Sequence, residues 1–143
     1  MRARVSFISQ GATRYSQRAS REMGASAFEK DAIVASDGSD TLWDAVVDAA
    51  CGLVWPHGVR GRVLRNRFTA EWEGRDAALR EKVAGYPLFG FVAELAGDPD
   101  RKLNWAGESA GLVDAVRPAG EIVRDVMADA ERWLAAAAGL VSG

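Results

Sequence analysis

The strongest hydrophobic pattern in the chain lies at its end. Ile122, Val126, Ala130, Trp133 and Ala137 recur at helical spacing, Glu121, Arg124, Asp125 and Arg132 fall off that stripe, and Pro118 suits the first helical position, where no N–H is needed. One long amphipathic helix is predicted here, and its apolar stripe must dock against something. Earlier, Ser26 stands before Ala27 to Ala35 with Glu29 three residues on. That capping-box spacing predicts a helix, with Phe28, Ala32 and Ala35 sharing a face, and Asp37-Gly38-Ser39-Asp40 stops it. A further helix is predicted from Asn66 as N-cap, carrying Phe68, Trp72, Leu79 and Val83. Glu71 to Arg75 and Asp76 to Arg80 are its i,i+4 pairs, and Gly74 weakens its middle. Leu88 to Ala96 reads as an apolar helix and Gly97-Asp98-Pro99-Asp100 as a loop.

Extended segments are scarcer. Arg4 to Ser9 alternates enough for one strand, ended by Gln10-Gly11. Thr41 to Val54 supports two readings: Leu42, Val46 and Ala49 fit a helix, whereas Val46-Val47 and Leu53-Val54-Trp55 suit extended chain. Pro56-His57-Gly58 and Gly61 force irregular backbone. The fold is therefore read as mainly α, with at most one or two short strands. An apolar share of 48% and a charged share of 27% are ordinary for a globular protein. The net charge of -2 supplies no general field for nucleic acid or anionic lipid. No stretch approaches the roughly 18 unbroken apolar residues of a membrane span, and the start lacks the apolar run of a signal peptide. A cytoplasmic location, with no membrane or nucleic-acid partner, is expected.

Several motifs invite a chemical reading. Gly107-Glu108-Ser109-Ala110-Gly111 has the G-x-S-x-G spacing of a nucleophile elbow. An elbow needs a buried strand before it and, in hydrolase order, a histidine after it. Lys102-Leu103-Asn104-Trp105 is a poor strand, and the single histidine, His57, lies earlier. Gly107 and Gly111 are read instead as permitting a tight loop. His57 in a Pro-His-Gly turn reads as solvated, and one histidine with the lone Cys51 gives too few ligands for zinc. Neither a catalytic residue nor a metal site is assigned. Arg60, Arg62, Arg65 and Arg67 could hold phosphate if they faced one way, but Glu71, Glu73 and Asp76 follow at once. A solvated or salt-bridging role is the reading.

The run Gly61 to Phe68, continued by Glu71-Trp72-Glu73-Gly74-Arg75 and answered by Trp105 to Val113, resembles the C-terminal end of the nitronate monooxygenases. That family, formerly called 2-nitropropane dioxygenases, consists of FMN-dependent TIM barrels. The resemblance starts near Ala19. It implies two regions, a poorly matching segment 1–18 and a helical C-terminal region 19–143 of a flavin enzyme. For the parent enzyme it implies FMN as cofactor, and alkyl nitronates and dioxygen as substrates. The family's catalytic histidine lies on an upstream strand in surroundings that His57 does not match, so that role is not carried over. Gly11-Ala12-Thr13-Arg14-Tyr15 resembles the family's Gly-Thr-Arg-Phe segment at the end of the last strand, where amides and the threonine hydroxyl receive the FMN phosphate. Thr13 is the counterpart, with Ala12 in place of a glycine. A complete barrel takes about 250 residues, which 143 cannot supply. The resemblance thus implies the helix-rich C-terminal segment of an α/β TIM barrel, incomplete, inactive and without FMN by itself, with exposed apolar helix faces open to self-association. Two alternatives stand beside it. One is a flavin-dependent enoyl-acyl carrier protein reductase, which has a similar tail. The other is a small helical binding or structural module, with Trp72, Trp105 and Trp133 in a private core or partner surface.

Overall fold

A computed structural model describes residues 18–56 and 58–141, with side chains of the last helix followed to residue 137. Two compact units emerge, one of residues 36–108 and one joining residues 18–35 with 109–141.

In residues 36–108, strand β1 (Thr41–Trp43) pairs antiparallel with β2 (Arg62–Leu64), Leu42 lying opposite Val63. Trp105 adds an antiparallel bridge to Val63. Between the strands runs helix α2 (Ala45–Cys51), which resolves the two readings of Thr41 to Val54: a short strand, then a helix. The switch is local. The Asp44 side chain accepts from the Val46 amide at 2.8 Å, and Gly52, at φ 74°, ends the helix by donating to Ala49 O at 3.0 Å.

Asn66 caps α3 (Arg67–Trp72) as the sequence predicts: its side chain accepts from the Thr69 amide at 3.0 Å, and Thr69 Oγ1 accepts from the Asn66 amide at 2.8 Å. The helix predicted to continue to Val83 does not. Gly74 adopts φ 71°, which breaks the run, and α4 (Asp76–Val83) restarts it. Helix α5 (Gly90–Leu95) is shorter than the predicted Leu88 to Ala96, and a loop follows it. Helix α2 packs on α3, α4 and α5, and every residue from Val46 to Cys51 is buried. Phe68, Leu79, Val46, Val47 and Val63 are wholly enclosed in this core, which Trp72, Phe91 and Leu103 complete.

In the other unit, Ser26 and Glu29 form the expected capping box on α1 (Ala27–Ala35): the Ser26 amide donates to Glu29 Oε2 at 2.9 Å and the Glu29 amide to Ser26 Oγ at 3.3 Å. The predicted face is corrected. Glu29 and Ile33 are the buried pair, and Phe28 is 48% exposed. A nine-residue helix with apolar side chains on several sides takes its orientation from what it packs against, which local spacing does not encode. A 3-10 turn (Glu108–Leu112) and the long α6 (Ala119–Val141) follow. The Arg21 amide donates to Arg117 O at 2.9 Å, and Glu22 Oε2 accepts from the Ala119 amide at 2.8 Å. That bond at the start of α6 holds the Glu22 carboxyl below its ordinary range.

Candidate functional site

The arginine string is the densest concentration of charge that the sequence singles out, and its geometry shows how the charge is used. Arg60 lies with its guanidinium 5.3 Å from the centre of the Trp43 ring, while Trp43 Nε1 donates to Arg60 O at 3.2 Å. Arg62, on β2, donates to Glu108 Oε1 at 2.8 Å and to Thr41 Oγ1 at 3.0 Å. Arg65 grips both carboxylate oxygens of Glu73, at 2.6 and 3.0 Å. This hydrogen bonding lowers the Glu73 carboxyl below its ordinary range and raises Arg65. Arg67 reaches Asp98 at 2.9 Å. Arg62, Arg65 and Arg67 form salt bridges within residues 36–108, as the salt-bridging reading expects, while Arg60 rests on the Trp43 ring instead. The expected local pair Glu71 to Arg75 is replaced: Glu71 accepts from Arg101 at 2.7 Å, and Arg75 donates to the Glu71 carbonyl at 3.2 Å.

A second polar centre escaped the sequence reading. Asp48 is 3% exposed on an otherwise apolar helix, and its carboxylate accepts from Trp55 Nε1 at 3.1 Å and from the Gly61 amide at 3.0 Å. It ties the irregular segment between α2 and β2 back onto α2. The available signal was a lone acid among Val46, Val47, Ala49 and Ala50. Cys51, three residues on, is buried, and burial followed by the Asp48 charge pushes its thiol up to about 11. A protonated, enclosed sulfur is no nucleophile.

Ser109 sits in the 3-10 turn Glu108–Leu112. The segment before it contributes one bridge, Trp105 to Val63, rather than a strand, so the elbow geometry is not built. A groove of about 280 Å³ lies between residues 112–117 and α6, where Asp114, Asp125 and Asp129 stand beside Arg117. Arg117 is held by Asp125 at 2.7 Å and Asp129 pairs with Arg132, so the charges that line the groove are already engaged within the chain. Thr13 and His57 lie outside the described residues. Among the described residues, the four arginines of the string hold ring, hydroxyl or carboxylate partners in this chain.

No protein-family profile matches the chain. A nitronate monooxygenase of Neurospora crassa is 31% identical over 87 residues, which is 57% of this chain and 20% of that protein. FabK from Thermotoga maritima superposes on 90% of this chain with a TM-score of 0.62 and 24% identity, using 38% of its own length. The chain shares its fold with part of FabK. A point mutant of the same FabK matches over 86% of this chain and 33% of its own, with a TM-score of 0.56. The chain thus spans a fifth of the curated relative's length and under two-fifths of the solved one. The likeness to nitronate monooxygenases read from the residues has a counterpart in a partial match over 57% of the chain, and the helix-rich fold with one short two-stranded sheet among the described residues matches part of a larger structure.

Proposed function

We propose that this chain is the C-terminal region of an FMN-dependent oxidoreductase of the nitronate monooxygenase type, acting on alkyl nitronates with dioxygen, and that alone it neither holds flavin nor turns over substrate. The supporting observation is a coincidence of two partial matches: 31% identity to a nitronate monooxygenase over 57% of the chain, and a shared fold with 38% of FabK over 90% of the chain. Residues 19–143 supply the helical cover of such an enzyme. In the parent enzyme, residues 1–18 correspond by sequence to a remnant of the family's last strand and phosphate loop, with Thr13 as the residue for the FMN phosphate. The protein acts in the cytoplasm. None of the described residues is assigned a step of the chemistry, and the arginine string serves to hold the helical region together.

Purified chain tests the inactivity directly. Visible flavin absorbance and nitronate-dependent oxygen uptake are both expected to be absent, and flavin copurifying at one equivalent would contradict that part. Parentage is tested by reading the DNA upstream of the Met1 codon: a barrel with a glycine-rich flavin loop and a histidine supports the reading, and unrelated sequence sinks it. Within the same resemblance, an enoyl-acyl carrier protein reductase differs in parts outside the described residues, and enoyl reduction by the extended protein would select it. A helical module without catalysis draws its support from residues 36–108, whose core is closed by their own side chains.

A further inference from the structure

Helix α6 carries more apolar surface than one docking stripe uses. Ile122 is buried and Val126 half-buried, both lining the groove against residues 112–117. Val123, Met127 and Leu134 are 57%, 55% and 71% exposed, with half-buried Ala130 completing the row. The spacing 123, 127, 130, 134 is the alternating four-three repeat of a coiled-coil seam. Beside the seam on one side lie Val126 and Trp133, the latter 51% exposed. On the other side lie Arg124 and Glu131, both exposed.

The charges of α6 sort into two groups. Glu121 and Asp125 are taken by Arg117, at 3.6 and 2.7 Å, and Arg132 pairs with Asp129. Arg124 and Glu131 have no ion-pair partner among the described residues. They sit one heptad apart at equivalent flanking positions. In two helices packed antiparallel, residues at that flank meet their own counterparts across the two-fold axis. Arg124 of one copy then faces Glu131 of the other, twice. The same register stacks Val123 on Leu134 and Met127 on Ala130, and brings the two Val126 and Trp133 pairs together on the far flank.

We propose that the Val123–Met127–Ala130–Leu134 face of α6 is an antiparallel interface between two copies of this chain. In a parallel pair the same flank would meet Val126 and Trp133 instead, leaving Arg124 and Glu131 unmatched, so the charge pattern selects both the occupant and its direction. The proposal goes beyond the flavin reading and does not depend on it: a flavin-free dimer leaves both standing, while a missing upstream barrel affects only the latter.

Sedimentation of the full 143-residue chain over a wide concentration range tests it, with helicity checked by circular dichroism for each variant. A reversible monomer–dimer equilibrium is expected. Arg124→Glu and Glu131→Arg should each weaken it about tenfold or more, because each places like charges opposite one another. Mixing those two variants, or combining both changes in one chain, should restore dimerisation, and Met127→Glu should abolish it in either background. A chain monomeric at every concentration overturns the proposal. So does a dimer or larger aggregate indifferent to the charge reversals, or one not rescued by mixing, since each places another surface, the uncovered docking stripe included, at the contact.

Discussion

At the scale of single residues, the informative positions are polar groups enclosed by apolar ones. Cys51 is 2% exposed at the end of α2, and its thiol moves from an ordinary value of 9.0 to about 11. The folded chain therefore keeps a proton that the unfolded chain loses first. Between the two values unfolding releases that proton, so stability falls as pH rises from about 9 to about 11 and then levels off. Two pH units correspond to roughly 2 to 3 kcal/mol. Urea titrations across this range should show that decline in the native sequence and a flatter one in Cys51→Ala, whose lower baseline stability does not alter the slope. Parallel pH profiles would remove the argument. A thiol reagent at neutral pH should likewise reach Cys51 only on unfolding. Asp48 belongs to the same small centre, where one carboxylate serves both the Trp55 indole and the Gly61 amide.

At the scale of elements, Gly74 separates two accounts of the helical run from Arg67 to Val83. If the run were one helix, as the apolar spacing of Phe68, Trp72, Leu79 and Val83 suggests, Gly74→Ala would stabilise it by about 0.5 to 1 kcal/mol. With φ at 71°, the same change should destabilise by about 1 kcal/mol, and a side chain there meets nothing within 4 Å, so backbone conformation alone sets the sign. Thermal melts decide it: a raised Tm means one helix, a lowered Tm means two. What the sequence made legible was short-range chemistry. Ser26 with Glu29, Asn66 before Arg67, and the loop at Gly97 to Asp100 depend on neighbours within a few residues, and each is found as read. What stayed hidden depends on distant partners. Strand β2 exists because Val63 finds Leu42 and Trp105, so an arginine-rich stretch for which local pattern predicts no element is extended. Of the acids nearby, Glu73 takes Arg65 as its proximity allows; that Arg60 rests on Trp43, Arg62 takes Glu108 and Arg67 takes Asp98 was not readable, the two acids lying 46 and 31 residues away.

At the scale of the molecule, the two units differ in how far each closes on itself. Residues 36–108 bury Phe68, Leu79, Val46, Val47 and Val63 among their own side chains, and their charged residues pair within the unit at Arg62–Glu108, Arg65–Glu73, Arg67–Asp98 and Arg101–Glu71. Their two ends also meet. Gly38, at φ 86°, packs so tightly on the Glu108 carbonyl that a β-carbon there would overlap it. A segment whose ends adjoin can be excised without stretching its backbone. Residues 36–108 made as a separate polypeptide should therefore fold, with a cooperative urea transition and helical circular dichroism. A domain of this size buries only about 60% of its unfolded surface, so its stability should be a few kcal/mol. Phe68→Ala, which empties the centre of the core at a cost of about 3 to 5 kcal/mol, should then abolish the transition altogether. A broad, non-cooperative melt of the unsubstituted segment would show that the core needs the remainder of the chain. Residues 18–35 with 109–141 carry the opposite expectation, since α6 leaves Val123, Met127, Trp133 and Leu134 at least half exposed. Independence of 36–108 would show that its core closes without barrel or second copy even though Val54, Trp55, Val59 and Leu88 stay at least half exposed there, and would leave the uncovered row on α6 as the surface to test for a partner.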